Sequence, residues 1–155
     1  MNITLVVVGK TDVKFVQEGC EIYLSRLKHY THFAMEVVPA AKGAVTPSEA
    51  KEREGRLLLK KMEQADCAVL LDEHGTQRTS TQFAQHLQRK MNAGTRQLTF
   101  VIGGAFGVSD EVKRAATETM SLSDMTFNHQ MARVFFLEQL YRAFTILRNE
   151  KYHNE

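Results

Sequence analysis

Short apolar runs alternate along the chain with stretches whose apolar residues recur at helical spacing. Residues 3–8 are continuously apolar and β-branched, and Gly9 ends them, the pattern of a central parallel strand buried on both faces. Val13, Val16, Cys20, Tyr23, Leu24 and Leu27 then repeat at intervals that predict a helix, with Thr11 or Asp12 placed to cap it. Phe33, Met35 and Val37 alternate with Ala34 and Glu36, as in a strand with one wetter face, and Pro39 stops it. Residues 40–45 read as a loop. Thr46, Pro47 and Glu49 make a helix start: a capping hydroxyl, a proline at the first helical position and a glutamate that completes a capping box. That helix runs to about Glu63.

Residues 67–71 are wholly apolar, a further buried strand, and Asp72, Glu73, His74 and Gly75 read as the turn that ends it. Thr79 and Gln82 predict a second capping box; Phe83, Ala84, Leu87 and Met91 line the helix, and Gly94 closes it. The apolar run 98–102 stops at Gly103 and Gly104. Ser109 caps the next helix, with Asp110 and Glu111 in its first turn and Ala115, Ala116 and Met120 on its buried side. Residues 121–127 read as a strand or an extended loop, residues 130–148 as the last helix, and 150–155 as a tail that is polar apart from Tyr152. Strands alternating with helices predict an α/β fold, a mainly parallel sheet flanked by helices, in one domain of 155 residues.

Ligands of open α/β sheets sit beyond the carboxyl ends of strands. Three such ends stand out: 71–75, 103–107 and 122–127. The cluster Gly103, Gly104, Gly107 is neither a dinucleotide fingerprint nor a P-loop. Asp110 and Glu111 occupy the helix start that would bind a phosphate. The pattern favours a ligand without phosphates, or none.

The last helix is apolar nearly all round. Val134, Leu137, Leu140, Tyr141, Phe144 and Leu147 cover one broad side, and Met131, Phe135 and Ile146 the other. A helix buried on both sides in so small a chain predicts a symmetric homodimer. Glu138 and Arg142 fall four residues apart beside Met131 and Phe135, as a helix-stabilising ion pair or as polar groups aimed into a site at the dimer seam. His129 and Arg133 flank the helix start. Tyr152 and His153 belong to a frayed end, or else stack on and contact a nucleic-acid base.

Composition narrows this picture. With 43% hydrophobic and 25% charged residues the chain reads as an ordinary globular protein, and no apolar run is long enough to span a membrane. The N-terminus lacks the basic region and cleavage site of a signal peptide. Cys20 and Cys67 form no CxxC pair and read as free buried thiols, which fits the cytoplasm. The histidines show no metal-ligand spacing, so no metal is expected. A net charge of +2 confines any RNA contact to a local patch. Lys51, Arg53, Arg56, Lys60 and Lys61 interleave with Glu52, Glu54 and Glu63, the pattern of a solvated helix face in preference to an RNA-contact face.

Four segments together carry a family resemblance: LLDEHG, FVIGGAFG, SLSDMTFNHQMARVFFLEQLYRAF and the end KYHNE. In this order they resemble the SPOUT class of S-adenosylmethionine-dependent RNA methyltransferases, and more closely its small RlmH-type family, which methylates N3 of a pseudouridine in large-subunit ribosomal RNA. The resemblance implies an α/β fold with a C-terminal trefoil knot, a homodimer, S-adenosylmethionine as cofactor and the ribosome as partner. It implies cofactor contacts from Leu71, from Gly103, and from Leu122, Ser123, Asp124, Met125, Thr126 and Phe127, with Gly104 and Gly107 read as turn formers. For the proton on N3, Glu138, His129 and His153 are the candidate bases. Tyr152 is a stacking partner, and Arg142 a support for developing negative charge. The chain departs from the family at Asn128, where proline is frequent, which predicts a less stiff exit from the third loop. It departs also at Asn154, where some relatives carry a basic residue.

Overall fold

The computed structural model describes residues 1–43 and 45–154. Residues 44 and 155, part of the expected loop over 40–45 and of the expected tail, lie outside the described residues. The elements are β1 (Asn2–Val8), α1 (Lys14–Leu27), β2 (His32–Val38), α2 (Pro47–Met62), β3 (Cys67–Gln77), α3 (Ser80–Asn92), β4 (Gln97–Ile102), α4 (Asp110–Ala115), β5 (Glu118–Ser121) and α5 (His129–Leu147). Five parallel strands form one sheet in the order β2-β1-β4-β3-β5.

The apolar run of β1 follows from its central place. Ile3, Leu5 and Val7 point into a core shared with α1, α3 and α5. Val6 and Val8 point into a second core under α2 and α4. Two covered faces leave no position for the alternation of a one-sided strand. In the larger core Phe100 and Phe136 pack with ring centroids 4.7 Å apart. Gly19 lets α1 approach α5, since a Cβ there would stand 3.0 Å from Val134 Cγ2.

The expected caps divide. Thr46 Oγ1 accepts from Glu49 N at 3.1 Å, but no Glu49 side-chain bond returns to Thr46 among the described residues, so only half of the expected box forms at α2, while Thr79 and Gln82 form the reciprocal capping box. At α1, however, Val13 occupies the cap position without a side-chain bond. Thr11 and Asp12 are engaged elsewhere: the Thr11 hydroxyl accepts from Arg133, and the Asp12 amide donates to Gln130 Oε1 at 3.2 Å. The first turns of α5 are thus bonded to the chain leaving β1.

Three boundaries differ from expectation. β3 continues to Gln77, with a register shift between Leu71 and Thr76 where it pairs with β5. Residues 72–75 are therefore an irregular excursion within a strand and not its terminal turn. The helix after Ser109 stops at Ala115, and Met120 is buried in β5 instead of on that helix. Thr117 supplies the reason: its amide donates to the Ala68 carbonyl and its hydroxyl accepts from the Ala68 amide, drawing the chain into the sheet edge. The tail, finally, does not fray: Tyr152 and His153 are half-buried against α5. No helix among the described residues is long and apolar enough to cross a membrane.

Candidate active site

The carboxyl ends of β3 and β4 and the loop after β5 enclose a cavity of about 580 Å³. β3 contributes Leu71, Asp72, Glu73 and His74; the turn after β4 contributes Gly103 and its neighbours to Val108. Leu122, Ser123, Met125, Thr126 and Phe127 form the opposite wall, and His129 and Ala132 of α5 close it. Seven of the eight residues expected to hold the cofactor line this one space; Asp124 is exposed beside it. Lys51 of α2 and Lys113 of α4 reach the rim facing the acidic end of β3. A second hollow, of about 660 Å³, lies over the sheet near the start of β1. Its Lys61 is already paired with Glu36 at 2.6 Å, and it sits at the wrong end of the strands for a ligand of this fold class.

Local bonds shape the wall formed by residues 122–127. Ser121 Oγ donates to the Ser123 carbonyl at 2.9 Å, and Ser123 Oγ accepts from Met125 N at 2.9 Å. Thr126 Oγ1 donates to Glu73 across the cavity mouth. Asn128 caps α5, its Oδ1 accepting from Gln130 N at 3.0 Å and Met131 N at 2.8 Å. The asparagine therefore pins the loop's exit by capping, where a proline would restrict the backbone. Phe127 stacks on Phe135 at 4.7 Å between centroids.

The glycines of the turn have separate reasons. Gly107 has φ +84°, a conformation that side chains rarely adopt, so it is a turn former. A Cβ on Gly103 would lie 2.6 Å from Val108 Cγ1 and 3.1 Å from the Gly107 carbonyl oxygen. Gly104 is more than a turn former: a Cβ there would lie 2.6 Å from Glu54 Oε1. Glu54 itself corrects the reading of α2 as a uniformly solvated face. It is only 6% exposed, and its Oε2 accepts from Ala41 N at 3.0 Å while Oε1 has no hydrogen bond. The signal was present in the sequence, since Glu54 falls midway in the four-residue repeat Ala50, Glu54, Leu58, Met62. The ion pair of Arg56 with Glu52, at 2.7 Å, lies on the solvated side as expected.

The expected catalytic residues divide between two places. His129 lines the cavity; burial, and then the Arg133 guanidinium, hold its imidazole below the ordinary histidine range. Glu138, Arg142, Tyr152 and His153 cluster together away from it. Arg142 Nη2 donates to Glu138 Oε1 at 2.5 Å, and Tyr152 Oη donates to the same oxygen at 3.0 Å. Gln139 Nε2 donates to Glu138 Oε2 at 3.0 Å, and Arg142 Nη1 lies 3.2 Å from His153 Nδ1. The Arg142 guanidinium stands 4.8 Å above the Tyr152 ring. Burial, then bonding to Tyr23 and Glu138, raises the Tyr152 phenol well above its usual range.

What the cavity accepts follows from its lining. Leu71, Leu122 and Phe127 give flat apolar surface, backbone groups of the two loops give hydrogen-bond partners, and Asp72 and Glu73 give negative charge at one side. Of the two helices that follow its loops, α4 carries Asp110 and Glu111 in its first turn, and at the start of α5 the Gln130 and Met131 amides are already bonded to Asn128 Oδ1, so neither start favours a phosphate. A nucleoside with a cationic substituent matches this set in polarity and size.

Known proteins place the chain. A family profile described as "Predicted SPOUT methyltransferase" matches residues 1–153. The chain is 50% identical to a ribosomal RNA large subunit methyltransferase H of Parabacteroides distasonis, covering all of both chains. It is 48% identical to the protein of the same description in Christiangramia forsetii, over 99% of each. Among solved structures, a probable methylase family protein of Haemophilus influenzae aligns with a TM-score of 0.58 at 12% identity, covering 99% of this chain and 71% of that one. A putative methyltransferase of Legionella pneumophila, solved with bound SAM, aligns with a TM-score of 0.51 at 12% identity, over 92% and 66%. The fold, the family profile and full-length identity near one half agree: this chain belongs to the SPOUT methyltransferase family.

Proposed function

We propose that the protein methylates N3 of a pseudouridine in large-subunit ribosomal RNA, using S-adenosylmethionine, as a cytoplasmic homodimer acting on the assembled ribosome. The observation that carries this reading is the cavity bounded by Leu71, Gly103 and residues 122–127, which suits a phosphate-free nucleoside cation, in a chain so close to ribosomal RNA methyltransferases over its whole length. In this reading the last segment of the chain is threaded as the trefoil knot of the class.

Leu71, Leu122 and Phe127 would hold the adenosine part, and Asp72 and Glu73 the charged amino-acid end. When bound, the cofactor supplies an electrophilic methyl group. The protein then has to bring N3 into line and accept its proton. His129 meets the second need, because it lines the cavity, and burial and the Arg133 guanidinium favour its neutral, proton-accepting form. Glu138 has both oxygens engaged, by Arg142, Tyr152 and Gln139, so it orients those groups. Arg142 offsets charge on the deprotonated base, Tyr152 stacks on it and His153 contacts it.

Within one chain those four residues do not line the cavity, and the homodimer resolves this. On α1, Phe15, Gly19 and Ile22 share a stripe beside Val134 of α5, and Phe15 and Ile22 are 64% and 52% exposed. Phe135, 42% exposed, adds apolar surface on α5 three residues before Glu138. A second copy covering that face would carry its own Glu138 cluster towards this cavity.

Mass mapping of ribosomal RNA from a strain lacking the protein tests the activity, with one N3-methylated pseudouridine expected to disappear. Unchanged RNA would overturn it. Calorimetry with S-adenosylhomocysteine tests the cavity: binding is expected, and is lost in Gly103→Val. A variant that binds normally would overturn the assignment of the site.

A further inference from the structure

After α5 the chain makes a tight reversal that the sequence does not announce. Asn149 takes φ +54°, the one positive φ of a non-glycine residue among those described. Its amide donates to the Ile146 carbonyl at 3.1 Å, and the Glu150 amide donates to the Thr145 carbonyl at 3.0 Å. The reversal sends Tyr152 back along the helix to Glu138, fourteen residues earlier. Asparagine is one of the few side chains that readily take this conformation, and the two bonds are the pair that closes a helix end, so the reversal itself is local, while the course of the residues beyond it needs a longer-range hold.

What holds it lies beyond α1. Tyr30 sits in the turn after that helix, its amide donating to the Leu27 carbonyl at 3.0 Å. Its hydroxyl donates to Glu150 Oε2 at 2.5 Å, a charge-assisted bond between segments 120 residues apart. Arg148 covers the other side, with its guanidinium 4.4 Å above the Tyr30 ring and Nη2 donating to the His29 carbonyl at 3.3 Å. The Tyr30 ring meets Tyr141 edge-on at 5.7 Å, and Tyr141 meets Tyr152 at 4.7 Å. The tail is thus gripped at Glu150 and supported through Tyr141 to Tyr152.

We infer that Tyr30 and Glu150 form a latch that holds segment 149–153 folded back on α5, and that both are positioning residues for Tyr152 and His153. Neither touches substrate or cofactor; they set where those two side chains stand relative to Arg142. The inference rests on the function proposed above, in which Tyr152 and His153 receive the base.

Tyr30→Phe is the sharpest test, because it keeps the ring packing and removes only the hydroxyl. The full-length protein would be assayed on ribosomes from a strain lacking it, alongside hydrogen exchange of the tail amides. In Tyr30→Phe, kcat is expected to fall about ten- to a hundredfold. KM for S-adenosylmethionine and the unfolding temperature stay unchanged, and the amides of 150–153 exchange about tenfold faster. Glu150→Ala behaves alike, Glu150→Gln keeps an acceptor and recovers part of kcat, and the Tyr30→Phe/Glu150→Ala double variant is no slower than the worse single one. Unchanged tail exchange overturns the latch. Faster exchange at wild-type kcat overturns the positioning role, as do effects that multiply in the double variant. Tyr152→Phe and His153→Ala separate the two levels. If they retain full activity, the tail's part in the proposed function fails. If they lose activity while Tyr30→Phe does not, only the positioning role of Tyr30 and Glu150 fails.

Discussion

Arg133 donates through Nη2 to the Val8 carbonyl at 2.6 Å, from a side chain with no exposed surface and no ion pair among the described residues. Nη1 adds bonds to the Gly9 carbonyl and the Thr11 hydroxyl, each at 2.9 Å. A guanidinium satisfied mainly by carbonyls bolts the start of α5 to the end of β1, beside the cavity. Burial lowers its pKa from the ordinary arginine value. Arg133→Lys cannot reproduce the fork and leaves buried carbonyls without donors, so it should cost about 2–4 kcal/mol in urea unfolding. A loss under half a kcal/mol would show that water replaces the guanidinium.

Gly75, within the irregular part of β3, and Gly104, in the cavity lining, should respond unequally to alanine. At Gly75 the added methyl would meet backbone, with Met120 N at 2.6 Å and the Thr119 carbonyl carbon at 2.8 Å. At Gly104 it would meet Glu54 Oε1, the far end of a side chain. Gly75→Ala should therefore cost about 3 kcal/mol and Gly104→Ala about 1 kcal/mol. Adding Glu54→Ala should relieve Gly104→Ala and leave Gly75→Ala as it is. Thermal unfolding of the four variants checks the order.

His129 provides a pH signature. Its folded pKa lies below its ordinary value of 6.5, so over the window between them the unfolded chain binds more protons. The contribution of His129 to stability accordingly rises with pH across that window and is lost as pH falls through it. If His129 is the base, the acid limb of kcat/KM sits below the ordinary histidine range, and His129→Asn removes it. An NMR titration of the ring with a midpoint at or above the ordinary value would contradict both expectations.

Tyr30 is the spectroscopic reporter of the tail. Its hydrogen bond to Glu150, with lesser contributions from burial and the charge of Glu150, pushes the phenol up to about 12. A raised acid favours its neutral form, so this stabilisation is complete below the unfolded tyrosine pKa and disappears as pH rises through the folded one. Difference absorbance should show a tyrosine ionising near that high value, and Glu150→Ala should return it towards the ordinary range.

The apolar face of α1 gives an assembly test. Ile22→Glu places a charge on the exposed stripe of α1 beside Val134, outside the cavity lining. Light scattering should show dissociation, with the dimer weakened about a hundredfold or more. Methyl transfer should fall while S-adenosylhomocysteine still binds. A variant that stays dimeric would assign the interface elsewhere.

Most strands and helices were legible because their burial is simple. β1 and β4 are covered on both faces and read as mainly apolar runs, interrupted inside only by the buried Thr4 and Thr99, and α3 announces itself through its capping box. The errors gather where long-range partners outbid local pattern. Thr11 and Asp12 look like caps but serve α5; Met120 has helical spacing from Ala116 yet is claimed by the sheet edge; Glu54 reads as solvated but faces Gly104. The cavity's walls were legible through the family resemblance. The separation of His129 from Glu138, Tyr152 and His153 was not, because it depends on the reversal at Asn149 and on which face of α5 turns outward.

The tie between Thr126 and Glu73 has a kinetic consequence. The turn 103–108 and the run 122–128 are the cavity's walls outside helices and strands, and only the second reaches across the mouth, through that one side-chain bond among the described residues. Parting Thr126 from Glu73 and loosening the short Ser123 turn widens that mouth without unpairing any strand. Exchange can therefore run at the nanosecond-to-microsecond pace of a loop, while the sheet that aligns the chemistry keeps its register. Residence time and stability are set by different parts of the chain, and Thr126→Val should shorten the first while leaving the second unchanged.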